Sequence, residues 1–75
     1  MKLVSILKSA FNANESQIHD DFKLTDFEDW DSMQHMLFIT KLEEEYSIEL
    51  NGDEIASIKT IGEIKKLLSS KGKLD

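Results

Sequence analysis

Few side chains in this sequence could do chemistry, and one hydroxyl leads them. Ser32 follows Asp31 and opens a stretch of apolar and acidic residues that ends Leu42-Glu43-Glu44-Glu45-Tyr46. A serine so placed can cap a helix, act as a nucleophile or serve as a point of attachment. Nucleophilic use needs an adjacent base and donors for an oxyanion. The only histidines are His19, in a loop, and His35, one turn beyond Ser32 on what should be an inward face. Substrate pockets run to about 300–1,000 Å³, which a chain of 75 residues can hardly enclose. No catalytic residue is therefore expected, and the chain does not read as an enzyme. Cysteine is absent, which removes disulfides, thiolate metal sites and cysteine catalysis. The acids Asp20, Asp21, Asp26, Glu28, Asp29 and Asp31 invite a calcium reading. An EF-hand loop needs a glycine at its turn and flanking helices, and this stretch contains no glycine, so no metal site is expected.

The elements that must position Ser32 follow from apolar spacing. Leu3, Ile6, Leu7, Ala10 and Phe11 form a one-faced stripe at helical period, which predicts a helix over Lys2 to Asn12. Asn12 and Asn14 are its stop residues. A long connection from Ala13 to Asp31 follows, pinned to the core by Ile18, Phe22, Leu24, Phe27 and Trp30, with room for a helical turn. Trp30 seats this loop against the second helix, its indole N–H in need of an acceptor. His35 reads as a half-buried helix residue hydrogen-bonded to the loop. The second helix starts at Asp31 or Ser32, with Asp31 at the N-cap and Gln34 in the capping-box position, and runs to Tyr46 or Ser47. Asn51-Gly52 marks a turn, Asp53 to Ser57 a short helix, and Thr60 with Glu63 a capping box that opens the last helix, buried through Ile61, Ile64, Leu67 and Leu68. Ser69 to Asp75 reads as a frayed polar tail. No stretch alternates with period two for long enough to form a strand. The expected fold is all-α: one domain over residues 1–75, a small four-helix bundle of three longer helices and one short one, with a long first loop.

The second helix carries more apolar surface than one buried stripe needs. Placed about 100° apart, Phe38, Ile39, Leu42, Tyr46 and His35 share one arc. Met33, Met36, Leu37 and Thr40 share another near the opposite side. Either the loop folds over this second stripe or it stays exposed as an interaction surface, a use that suits flexible, polarizable methionine. Glu43 and Glu44 border it. Glu43 to Glu45 also lie near the negative end of the helix dipole, where acids are mildly unfavourable.

Charge narrows the partners. Thirteen acids and two lysines lie between Glu15 and Glu54, within a chain of net charge −6. Such a block repels phosphate backbones, so nucleic acid is not an expected partner, and it steers the domain toward basic protein surfaces. No run approaches the roughly 18 apolar residues of a membrane helix. Leu3 to Leu7 after Lys2 is interrupted by Ser5 and followed by Lys8, and reads as mature protein rather than a leader.

Taken in order, Asp31-Ser32-Met33, the apolar spacing after them, Leu42-Glu-Glu-Glu-Tyr46, Ile48-Glu49-Leu50, Asp53-Glu54-Ile55 and Thr60-Ile61-Gly62-Glu63 resemble the acyl carrier proteins over nearly the whole chain. The resemblance implies a 4′-phosphopantetheine arm on Ser32, installed from coenzyme A by a phosphopantetheinyl transferase that uses Mg²⁺ and recognises the motif with Asp31. It implies an acyl or aminoacyl cargo held as a thioester on the arm's thiol. Expected partners are a loading ligase and downstream transferase or synthase enzymes, met through Met33, Met36, Leu37 and Thr40 with Glu43 and Glu44 as an acidic rim. A cytoplasmic monomer is implied.

The chain departs from the fatty-acid carriers. Trp30 stands where they usually have glycine, Met33 replaces leucine, and Gln34 and Leu37 replace acids, which shifts docking from charge toward apolar contact. Trp30-Asp31-Ser32 with His35 is closer to free-standing carriers of specialised pathways, and the D-alanyl carriers share Asp-Ser-Met. The competing reading is an unmodified acidic interaction module, an inhibitor or adaptor, with Ser32 as a helix cap.

Overall fold

Apolar stripes, caps and one close backbone approach build the four helices of the computed structural model, which describes residues 2–73. Helix α1 (Lys2–Phe11) buries Leu3, Ile6, Leu7, Ala10 and Phe11. It stops where Asn12 turns left-handed, φ 52°, a conformation asparagine tolerates better than most residues. The connection that follows holds two single 3₁₀ turns, Glu15–Gln17 and Leu24–Asp26. Helix α2 (Ser32–Tyr46) ends at Ser47, again left-handed. Helix α3 (Gly52–Ser57) is short and contains no fully buried residue. Helix α4 (Ile61–Ser70) buries Ile61, Ile64 and Leu68. An all-α bundle of three longer helices and one short one is what the periodicity predicts, and among the described residues no strand forms.

All four phenylalanines of the chain join in one array. Phe11 stacks on Phe27 with ring centroids 5.2 Å apart and meets Phe38 at 5.3 Å, while Phe22 meets Phe27 at 4.6 Å. Helix α1, the long loop and helix α2 are thereby packed through a single aromatic cluster, each pair contributing about 0.5–1.5 kcal/mol beyond area burial.

The loop is also clasped by backbone. Leu24 N–H donates to Lys59 O at 2.9 Å, Ile61 N–H to Phe22 O at 3.1 Å, and Gly62 N–H to Asp20 O at 2.9 Å. A Cβ at position 62 would lie 3.0 Å from Asp20 O, so glycine is what lets the two segments approach. Lys65 adds an ion pair to Asp20 at 2.7 Å.

Three local expectations need correction. Ser69 and Ser70 complete α4 rather than begin a tail, and Gly72, φ 68°, closes it with Lys73 N–H donating to Leu68 O at 2.9 Å. Residues 74 and 75 of the expected tail lie outside the described residues. Gln34 does not return a side-chain bond to Asp31, so the α2 capping box is half made. Leu67 is only partly buried, because the α4 stripe narrows to Ile61, Ile64 and Leu68.

Candidate functional site

Asp31 shapes the start of α2. Its backbone is extended, and its Oδ1 accepts the Gln34 N–H at 2.7 Å. Its carbonyl accepts the His35 N–H at 2.9 Å. The second of these is the first intrahelical bond, and the first satisfies one of the four N–H groups that every helix start leaves open. The Ser32 and Met33 N–H groups have no acceptor among the described residues. The Ser32 hydroxyl is exposed, makes no hydrogen bond among them, and takes no part in capping. It stands at the positive end of a 15-residue helix, where a phosphate ester would find both spare N–H donors and a favourable dipole.

The second stripe of α2 is open. Met33, Met36 and Leu37 are 74%, 50% and 48% exposed, whereas Phe38, Ile39, Leu42 and Tyr46 are buried. The loop does not cover the first group; its aromatics turn to the other side of the helix, into the phenylalanine cluster. Thr40 is exposed beside them, its hydroxyl donating back to Met36 O at 3.0 Å. Glu44 is exposed. Glu43 is turned elsewhere: its Oε2 accepts the Leu50 N–H at 2.8 Å, closing the α2–α3 connection, so its charge sits at the side of the stripe.

Trp30 and His35 meet. The indole Nε1–H donates to His35 Nδ1 at 3.3 Å, with the rings edge-on at 6.0 Å. The sequence presents each half, a donor wanting an acceptor and a half-buried imidazole facing the loop, but the contact itself depends on how the loop folds. Burial lowers the His35 pKa below its ordinary value. The pair forms the α2 side of an open groove of about 630 Å³ that also involves Leu24, Ile55, Ile58 and Thr60. The groove is open to solvent rather than enclosed, as a chain of this length allows.

Among the described residues no three carboxylate or histidine groups converge as a metal-ligand set. No helix among them is long and apolar enough to cross a membrane.

A small helix bundle that offers an unengaged hydroxyl at the first turn of its longest helix, beside an exposed apolar stripe, has the form of a domain that bears a group and shows it to others. A family model described as a phosphopantetheine attachment site matches residues 2–68, and the chain belongs to that family. Its role is that of a phosphopantetheine carrier, and the cofactor of the family is covalently attached 4′-phosphopantetheine. No curated protein matches the chain.

Proposed function

We propose that the chain is an acyl or aminoacyl carrier whose 4′-phosphopantetheine arm is attached to Ser32 and whose cargo is presented to partner enzymes through α2. The observation that carries this reading is the division of labour at the helix start: Asp31 does the capping, and the adjacent hydroxyl and two N–H groups are spare. The arm supplies a thiol, which this cysteine-free chain lacks, and the thiol holds the cargo as a thioester. Ser32 provides the attachment oxygen, and the Ser32 and Met33 N–H groups are available to the phosphate oxygens. Asp31 keeps the first turn formed while a phosphopantetheinyl transferase approaches. Met33, Met36, Leu37 and Thr40 offer the apolar contact for that enzyme, for a loading ligase and for downstream transferase or synthase enzymes, with Glu44 as the main acidic neighbour. The chain performs no catalysis of its own and works as a cytoplasmic monomer.

Incubation with coenzyme A, Mg²⁺ and a broad-specificity phosphopantetheinyl transferase, followed by intact mass, is the direct test. A gain of one arm is expected. No gain would leave the unmodified interaction module as the better reading, since the exposed stripe serves either.

The partner surface has its own test. Met36→Asp should keep the α2 circular dichroism and cost less than about 1 kcal/mol in urea, the scale of a surface helix substitution. Its loading by a cognate ligase should fall roughly 30-fold, the effect of losing about 2 kcal/mol at an interface centre. Unchanged loading would remove Met36 from the docking face.

A further inference from the structure

Two hydrogen bonds from His35 span the attachment serine. Its backbone N–H holds Asp31 O at 2.9 Å, and its ring Nδ1 holds the Trp30 indole N–H at 3.3 Å. Trp30 and Asp31, the two residues that lead into Ser32, are thus both tied to one imidazole-bearing residue a turn away. Trp30 and His35 also line the groove, which places the pair between that groove and the start of α2.

The ring bond has a protonation requirement. Nδ1 accepts the indole N–H only through its lone pair, which places the proton of the neutral ring on Nε2. A second proton at Nδ1 turns the acceptor into a donor facing a donor. We infer that His35 is a positioning residue for the attachment site, its neutral ring holding Trp30 against the groove and its protonated ring releasing it; as a statement about modification, this rests on the carrier reading with Ser32 as the attachment point. The charged groups that line the same groove are Lys23 from the loop, Lys59 from the α3–α4 connection and Glu63 from α4, with Asp31 one turn earlier on the His35 helix. Glu63 is engaged, its Oε1 accepting the Thr60 N–H and hydroxyl at 3.0 and 3.2 Å. Asp31 is engaged with Gln34. Lys23 and Lys59 make no ion pair among the described residues, and two cations do nothing to favour a third.

The sign follows from burial. His35 binds its proton less readily in the folded chain than in the unfolded one. Its contribution to stability is therefore fully present above the unfolded value of about 6.5 and is lost as pH falls through the lower folded value.

Trp30 is the only tryptophan in the chain, so the emission reports the surroundings of this one ring. The unmodified protein, titrated from neutral pH down through the histidine range, should show a single change in Trp30 emission with a midpoint below about 6.5. His19→Gln should keep it. His35→Gln and His35→Leu, checked for unchanged helicity, should lack it; the glutamine variant retains a polar acceptor for the indole N–H, and the leucine variant keeps apolar bulk. Transferase modification is then compared between the wild type and His35→Gln at each pH, which cancels the enzyme's own titration. The ratio of kcat/KM should fall by about tenfold across the same transition, the scale of a modest misplacement near a reacting group. A flat wild-type emission curve, an emission change that survives in His35→Gln, or a pH-independent ratio overturns the inference while leaving the carrier reading in place. Failure of every variant to be modified at any pH overturns the carrier reading, and with it the link from His35 to modification, whatever the emission shows.

Discussion

Ser32→Ala should gain no mass from coenzyme A and transferase under conditions that convert the wild type fully. Its thermal midpoint should stay within a degree or two. Both halves of the result come from the start of α2. Ser32 carries the one hydroxyl of the first turn, and it is exposed and unengaged, so attachment there falls to zero rather than being slowed. It removes nothing from the fold, because Asp31 Oδ1 accepts the Gln34 N–H. The neighbouring substitution separates the roles. Asp31→Ala opens the cap and should cost about 1 kcal/mol, or about 4–8 °C for a domain of this size, measured by calorimetry. A Ser32→Ala protein that still gains one arm would move the attachment to another hydroxyl. A Ser32→Ala protein destabilised as much as Asp31→Ala would make Ser32 a cap after all.

Phe38→Ala should bring the domain close to unfolding at 37 °C. Phe38 has 0% of its surface exposed and touches Phe11 across the α1–α2 contact. Truncating a buried phenylalanine costs about 3–5 kcal/mol, against a total stability of about 4–11 kcal/mol at this length. The urea midpoint should fall by between about a quarter and all of its wild-type value, with the slope unchanged unless the transition ceases to be two-state. Leu37→Ala, one residue away on the open stripe, should change stability by less than about 1 kcal/mol. The contrast between adjacent positions tests which side of α2 is core. Equal losses at 37 and 38 would mean that the stripe carrying Met33 and Met36 is packed rather than presented.

How far the sequence could lead depended on the range of the interaction being read. Helices α1 and α4 were legible because a single stripe at helical period leaves no other arrangement. Helix α2 was legible as a helix but ambiguous as a surface, since Phe38 and Leu37 are equally apolar and only the loop decides which is covered. The Asp31 cap and the Thr60–Glu63 box are local and could be read directly, whereas Gln34 shows that a box pattern does not oblige the second bond to form. Two further boxes, Asn14 with Gln17 and Asn51 with Glu54, have the same three-residue spacing and could have been found. Single 3₁₀ turns are too short to leave a periodic trace. The Lys23–Thr60 bridge joins segments far apart in the chain. Glu43 was the least legible site residue: in sequence it extends an acidic run, and in space it answers the Leu50 N–H. The Trp30–His35 bond lies between these extremes, its two members five residues apart but brought together by a loop.

The clasp between the long loop and the start of α4 also decides which part of the molecule can give way. The loop is held by three backbone hydrogen bonds and by the aromatic rings beneath it, so opening it breaks contacts of the core itself. Helix α3 has no fully buried residue; Ile55 is partly buried, and a partly buried ion pair from Glu54 to Lys71 at 3.0 Å ties it to the end of α4. Local opening is drawn from the elements with the least buried contact. The groove therefore lies between a bank clasped to the core and a bank with far less buried contact, and α3 is where local opening is expected to start.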